Sequence, residues 1–181
     1  CKEIRLLTIM FIKIPLGLKD IDKEGKEKIQ NIVLTLQRGI YRTRGSLNKL
    51  IMNDAESIML CCWGLPPFSS VDDPARAVLS ASCILKELYT NFKFIASIGI
   101  ATGRCFIGVC GSVGGRKEYS LLGDYVNLSY ELMLAGKCYS DAKSNIEMKN
   151  KNINICENTK NLIQNKIFCE MHLLTRNDGT N

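Results

Sequence analysis

The feature that most constrains the fold is an apolar run near the start of the chain, LLTIMFIKI at residues 6–14. The run contains several β-branched residues, and Pro15 ends it. A run of this kind predicts a central, buried strand. Residues 22–43 follow with apolar side chains at positions 29, 32, 33, 36 and 40, the spacing of a helix that buries one face. The chain thus opens with a strand and a helix that need a common core.

The next segments define the order of elements. The runs SLNKLIM and SIMLCCW flank the tight connection NDAE and predict a hairpin. A second helix is predicted to begin at Asp73 and Pro74, and FKFIASIGIATG and RCFIGVCG predict two strands that pair around Gly103. The order β-α-β-β-α-β, with appended strands and helices, predicts an α+β, ferredoxin-like fold with helices on one face of a largely antiparallel sheet.

The remainder of the chain adds smaller elements. EYSLLG predicts a strand, residues 124–135 a short helix, and INICENTKNLIQ a strand followed by a helix, with KIFCEMHLL as a last strand. The Lys/Asn-rich stretch at about 136–152 is interpreted as a flexible insertion. With 181 residues the chain suits one domain, and because it begins at Cys1 we expect it to be a fragment of a longer protein.

Composition excludes several functional classes. Hydrophobic residues make up 46% and charged residues 23% of the chain, as in soluble globular proteins, and no apolar run approaches the roughly 20 residues that span a bilayer. Nine cysteines without a CxxC pair, beside a single histidine, argue against structural zinc and favour a reducing compartment. We therefore expect a cytoplasmic domain, with membrane association through segments outside this sequence left open. The net charge is +6, but the positive residues are not densely mixed with aromatic residues, as a nucleic-acid surface requires.

A group of polar residues marks the junction EYSLLGDYVNLSYEL, residues 118–132. Ser120 lies inside an apolar run, Asn127 in the first turns of the helix, and Glu131 one turn later on the same face. Structural roles are available to each of the first two, because Ser120 can satisfy a backbone group and Asn127 can cap the helix. Lys49 in SLNKLIM can likewise be a lysine that extends along a sheet edge.

Four stretches in order, GSLNKLIMND, CCWGLPP, SIGIATGRCFIGVCG and EYSLLGDYVNLSYEL, resemble the class III nucleotide cyclase catalytic domain. The resemblance is greatest to the second cyclase domain of the soluble, bicarbonate-responsive type, and it covers residues 5–135 well and 153–172 loosely. It implies that two such domains pair head to tail with the active site between them. One domain holds two divalent metal ions through aspartates, and the other recognises the base and the ribose.

The resemblance assigns roles to three residues of this chain. Lys49 matches the lysine that contacts the base, and Ser120 matches the position that accepts from the adenine amino group. Adenine N1 is an acceptor and suits an ammonium donor, so the pair implies ATP as substrate where guanylyl cyclases typically carry Glu and Cys. Asn127 matches the asparagine that orients the ribose, and the implied reaction is attack of the 3′-hydroxyl on the α-phosphate with release of pyrophosphate.

Three departures from the family pattern limit what this chain contributes. Lys13 and Asn53 stand at the two aspartate positions, and only a one-residue change of register would place Asp54 at the second. A lysine repels Mg²⁺, so the two Mg²⁺ or Mn²⁺ ions are expected on the partner domain. Glu131 stands at the arginine position, where a carboxylate would face the triphosphate. Arg104 and Arg116 lie in the same region, either as substitutes for that arginine or as surface residues.

Three functions remain as candidates. The first is an adenylyl cyclase half-domain that works with a metal-carrying cyclase domain, in the same polypeptide, in intracellular signalling. The second is a catalytically degenerate cyclase domain that dimerises and regulates. The third is an RNA-binding ferredoxin-like module, which needs two or three exposed aromatics on its central strands where the runs here are mostly aliphatic.

Overall fold

The computed structural model describes residues 2–20, 25–111, 117–138 and 152–164. A 3-10 turn spans Leu18–Asp20. The strands of the described residues are β1 Lys2–Ile14, β2 Ser46–Met52, β3 Ser57–Trp63, β4 Ser97–Gly111, β5 Lys117–Leu122 and β6 Ile153–Ile155. Their helices are α1 Lys26–Arg42, α2 Asp73–Phe92, α3 Asp124–Ala135 and α4 Glu157–Ile163.

The strands form one mixed sheet in the order β2-β3-β1-β4-β5, and β6 pairs with β4. All neighbours along the path are antiparallel, whereas β6 runs parallel to β4. The first four strands of the path, with α1 and α2 as crossovers, have the order of the split β-α-β arrangement. The α+β, ferredoxin-like prediction is therefore confirmed.

Alternating side chains of β1 divide the interior into two cores. Met10, Ile12 and Ile14 belong to the larger core, which also contains buried residues of α1 and α2. Leu7 and Ile9 belong to a smaller core on the other face of the sheet, against which Tyr125 and Val126 of α3 pack. The sheet thus has one face under α1 and α2 and one face under α3.

The prediction of two strands paired around Gly103 is wrong, because β4 runs without interruption from Ser97 to Gly111. Gly103 has another role, since a Cβ atom there would collide with the ring of Tyr125. A Cβ atom at Gly99 would likewise collide with the α3 backbone at Ser129 and Met133. Gly103, which suggests a turn in the sequence, and Gly99 are both positions where α3 lies directly against the sheet.

The other predicted elements fall near their expected places. β1 begins four residues earlier than expected, and α1 begins at Lys26, with residues 21–24 outside the described part of the chain. The hairpin of β2 and β3, the helix at 124–135, and the short strand and helix at 153–163 are confirmed. Most of the predicted insertion, and the last strand, lie outside the described residues. Of the helices described here, none combines the length and apolar character needed to cross a membrane.

Candidate functional site

One row of paired residues crosses four strands on the face that carries α3. Lys49 of β2 pairs with Leu60 of β3, Leu60 pairs with Phe11 of β1, and Phe11 pairs with Gly99 of β4. Directly paired residues point to the same face, and neighbouring strands lie about 4.8 Å apart, so Lys49 and Phe11 are separated by roughly 10 Å. Phe11 and Leu60 are partly buried, whereas Lys49 is exposed. The row is an apolar floor with a lysine at one edge.

A β-bulge gives Lys49 this orientation. The register between β2 and β3 shifts between Leu47, which pairs with Cys61, and Lys49, which pairs with Leu60. Cys61 belongs to the core under α1 and α2, whereas Leu60 packs against the core under α3. Residues 47 and 49 of a regular strand would share a face. The extra residue, Asn48, therefore turns the Lys49 side chain toward the face of α3.

Helix α3 borders this apolar floor at Phe11, the end away from Lys49. The ring of Tyr130 meets the ring of Phe11 edge-on, with 5.3 Å between centroids. Asn127 lies one turn before Tyr130, and Glu131 one turn after Asn127, and both are exposed. The N-cap residue is Gly123, and Asn127 is the fourth residue of the helix, so Asn127 does not occupy the N-cap position. An amide and a carboxylate thus project from the helix beside the apolar floor.

Ser120 lies elsewhere in the sheet. It pairs with Gly108 on β4, and the next pair along, Leu121 with Ile107, belongs to the core under α3. Because successive side chains alternate, Ser120 points to the opposite face. Strands β3, β1 and β4 lie between Ser120 and Lys49 in the strand order. Strand pairing therefore groups Lys49 with Phe11 and α3, but does not bring Lys49 and Ser120 together.

Lys13 lies two residues after Phe11 on β1, so it shares the face of Phe11, and it lies beside the β2–β3 hairpin. Its side chain is only 14% exposed, and its Nζ atom lies 3.9 Å from Oε2 of Glu56. Cys138 is close to this pair: burial raises the pKa of its thiol, while the charge of Lys13 acts in the opposite direction. The charges of the Lys13 ammonium group and the Glu56 carboxylate therefore offset each other at the position that the resemblance assigns to the first metal-binding aspartate.

Asn53, which the resemblance places at the second metal position, stabilises the hairpin turn. Oδ1 of Asn53 accepts hydrogen bonds from the backbone N–H groups of Ala55 at 2.9 Å and Glu56 at 2.8 Å. Asp54 pairs with Lys19 at 3.8 Å on the exposed surface. Within residues 2–20, 25–111, 117–138 and 152–164, no group of three or more His, Cys, Asp or Glu residues is arranged to hold a metal ion. The residues at both positions do not fit a divalent cation.

Sequence reasoning missed the residues that form the floor. Phe11, Leu60 and Tyr130 are indistinguishable from ordinary core residues in the sequence, because apolar side chains at these spacings are common in strands and helices. Gly99 and Gly103 within one strand were the available signal, since glycines in a strand mark close approach of another backbone. Arg104 is exposed on β4, where it pairs with Leu6. Arg116 lies outside the described residues.

Comparison with curated proteins finds adenylate cyclase type 10. The chain is 29% identical to the proteins from Rattus norvegicus and from Homo sapiens over 133 residues. The match covers 73% of this chain and 8% of each relative, so the chain spans less than a tenth of the length of these proteins. No protein-family model matches the chain.

Solved structures share the fold at lower identity. The adenylyl cyclase CyaB from P. aeruginosa superposes with a TM-score of 0.69 at 20% identity, covering 92% of this chain and 84% of that protein. The guanylate cyclase domain of RhGC from Catenaria anguillulae, in complex with GTP, superposes with a TM-score of 0.67 at 19% identity, covering 91% and 85%. Both comparisons establish the fold of the domain.

Proposed function

We propose that this chain, which is homologous to adenylate cyclase type 10 and has the fold of the class III cyclase catalytic domains, is the nucleotide-recognising half of an adenylyl cyclase. With a partner cyclase domain it converts ATP to 3′,5′-cyclic AMP and pyrophosphate. The partner holds the two Mg²⁺ or Mn²⁺ ions and belongs to the same polypeptide, for which the much greater length of the relatives leaves room.

The observation that carries this proposal is the row of Lys49, Leu60 and Phe11 beside α3. Its apolar floor is about two strand spacings wide, which suits the flat face of a purine. The ammonium group of Lys49 at the edge of the floor donates a hydrogen bond to N1 of adenine. Guanine carries a hydrogen on N1, so a lysine at this edge disfavours GTP.

Two further residues complete the proposed recognition. Ser120 accepts a hydrogen bond from the amino group of adenine; because strand pairing does not place it beside Lys49, this contact rests on the resemblance alone. Asn127, exposed beside Tyr130, orients the ribose. Lys13 and Asn53 keep this chain from holding metal ions, since the first is paired with Glu56 and the second closes the hairpin turn.

The test is production of cyclic AMP with and without a partner. The purified chain, incubated with ATP and Mn²⁺, should produce none, because a pair of two identical chains lacks aspartates at both metal positions. A cyclase domain that carries both aspartates but lacks base-reading residues should be inactive alone and active after this chain is added. Absence of activity in the mixture, with binding shown by sedimentation, would contradict a catalytic role.

A second candidate function is regulation by a cyclase domain that has lost catalysis. Glu131 favours it, because a carboxylate at the position of a phosphate-binding arginine removes a charged stabiliser, a change that typically costs on the order of 10²–10³ in rate. The two functions differ in one measurement. A regulatory domain changes the turnover of a complete cyclase without supplying a base-reading site, so mutation of Lys49 would leave that turnover unchanged.

A further inference from the structure

Two side chains of the sheet hold the C-terminal turn of α3. Oγ of Ser97 on β4, a fully buried residue, donates a hydrogen bond to the carbonyl oxygen of Met133 at 2.6 Å. Nδ2 of Asn154 on β6 donates to the carbonyl oxygen of Leu132 at 2.9 Å. The last four carbonyl groups of a helix lack the partners that the helix gives to earlier ones, so donors from outside stabilise its end. We call Ser97 and Asn154 the helix anchor.

The helix anchor lies on the same face of the sheet as the candidate site. Asn154 pairs with Gly99, and Gly99 pairs with Phe11, so Asn154 extends to β6 the row that begins at Lys49. Ser97 lies two residues before Gly99 on β4 and shares its face. The anchor therefore holds α3 from the end of the row that is opposite Lys49.

The helix backbone touches the sheet at the anchor. A Cβ atom at Gly99 would collide with backbone atoms of Ser129 and Met133, so no side chain separates α3 from β4 there. Gly136, the C-cap residue of α3, is equally close to Ser97, because a Cβ atom at Gly136 would collide with the Ser97 hydroxyl group. The distance between helix and sheet is thus set by backbone contact and by the two anchor bonds.

The rest of α3 constrains its position less. Of its 12 residues, all of which the structure describes, Ser129 and Met133 are the fully buried ones. At the other end, the N-cap residue Gly123 has no side chain that could form a cap hydrogen bond. A helix of this length is marginal in water without tertiary contacts. Removal of an anchor bond should therefore allow the helix to shift on the sheet.

We infer that Ser97 and Asn154 are positioning residues of the nucleotide site, an inference that rests on the proposed function. Asn127, for which we propose ribose orientation, projects from α3, whereas Lys49 belongs to β2. A shift of α3 thus displaces the ribose-orienting amide and leaves the proposed base contact in place. Misplacement of a reacting group by about 1 Å can cost on the order of 100-fold in rate. The helix anchor therefore acts on kcat more than on the KM for ATP.

The experiment measures the steady-state kinetics of anchor variants, each mixed with a cyclase domain that carries aspartates at both metal positions. Asn154→Leu removes the amide donor and should lower kcat about 10-fold or more, with the KM for ATP within about 3-fold of the unmodified mixture. Ser97→Ala should have a smaller effect, because the Met133 carbonyl oxygen also accepts from the N–H group of Gly136. Asn154→Gln keeps the amide, and its kcat should exceed that of Asn154→Leu.

The matched control is Asn158→Leu on α4. The Asn158 amide also donates to a backbone carbonyl oxygen, that of Thr102 at 2.7 Å, so the control removes the same type of bond without a change at α3. Its kcat should stay within about 2-fold of the unmodified mixture. Amide hydrogen exchange across residues 124–135 reports on the helix itself, and it should be faster in Asn154→Leu but not in Asn158→Leu. Circular dichroism verifies that each variant is folded.

Kinetics and exchange separate this inference from the proposed function. An unchanged kcat in folded Asn154→Leu would overturn the positioning role, and so would an equal fall in Asn158→Leu or a rise in KM alone. If the unmodified mixture makes no cyclic AMP, the proposed function fails and exchange decides the anchor by itself. Faster exchange confined to α3 in Asn154→Leu would then support the anchor, and unchanged exchange would overturn it.

Discussion

The ammonium group of Lys13 lies 3.9 Å from the carboxylate of Glu56, at the position that the resemblance assigns to a metal-binding aspartate. An aspartate at this position would attract a metal cation. Lys13 instead supplies a positive charge from the chain itself. Since Lys13 is largely buried, its charge depends on Glu56 for compensation. The charges of Lys13 and Glu56 therefore offset each other without a metal ion.

The first prediction concerns this pair. Lys13→Met should lower the free energy of unfolding by about 1–2 kcal/mol, because the partly buried carboxylate of Glu56 loses its counter-ion. Adding Glu56→Gln should recover most of the loss, since the remaining amide carries no charge. Urea denaturation of the two variants and the unmodified chain measures both effects. Equal stability of Lys13→Met and the unmodified chain would show that the pair contributes nothing.

The second prediction concerns Lys49, for which we propose a base-reading role. Lys49→Glu should weaken ATP binding at least about 10-fold in the reconstituted pair, because a carboxylate would face the N1 acceptor of adenine. The fold should persist, since Lys49 is exposed. Lys26→Glu on α1 is the matched control and should leave ATP affinity unchanged. Competition between ATP and GTP provides the measurement, and equal affinity of the unmodified pair for the two nucleotides would refute the assignment.

A third prediction tests whether Lys49 and Ser120 read the same base. If both contact adenine, Lys49→Ala and Ser120→Ala should show a coupling energy of at least about 0.5 kcal/mol in ATP binding. The strand order provides no direct contact between them, so a ligand has to supply the coupling. A double-mutant cycle on the reconstituted pair measures it. Strict additivity would show that Ser120 has a structural role on β5.

A fourth prediction concerns the carboxylate on α3. Glu131→Arg should raise turnover of the reconstituted pair, by on the order of 10-fold or more, because attraction at the phosphates replaces repulsion. The side chain is exposed, so the helix should accept either residue. Glu27→Arg on α1 makes the same charge change far from α3 in the fold and should leave turnover unchanged. Unaltered or lower turnover of Glu131→Arg would place Glu131 away from the phosphates and favour the regulatory role.

The architecture follows from patterns that are local in the sequence. The run at residues 6–14, the helical spacing after it and the tight NDAE connection each predict one element, and together they lead to the ferredoxin-like order that the sheet shows. These elements are readable because burial of one face imposes a period on neighbouring residues. The resemblance to the cyclase domains can also be detected from the sequence alone, because it lies in short contiguous stretches.

The composition of the candidate site was decided by tertiary structure. Lys49 faces α3 only because a bulge at Asn48 changes its side of the sheet, and a one-residue shift of this kind leaves no trace in the apolar pattern. The prediction of a turn at Gly103 was wrong because the sequence does not distinguish a glycine that makes room for the Tyr125 ring from a glycine that forms a turn. Phe11 contacts Tyr130, and Lys13 contacts Glu56, across large sequence separations. The first contact exists only once α3 has packed on the sheet, and the second only once β1 has paired with the hairpin.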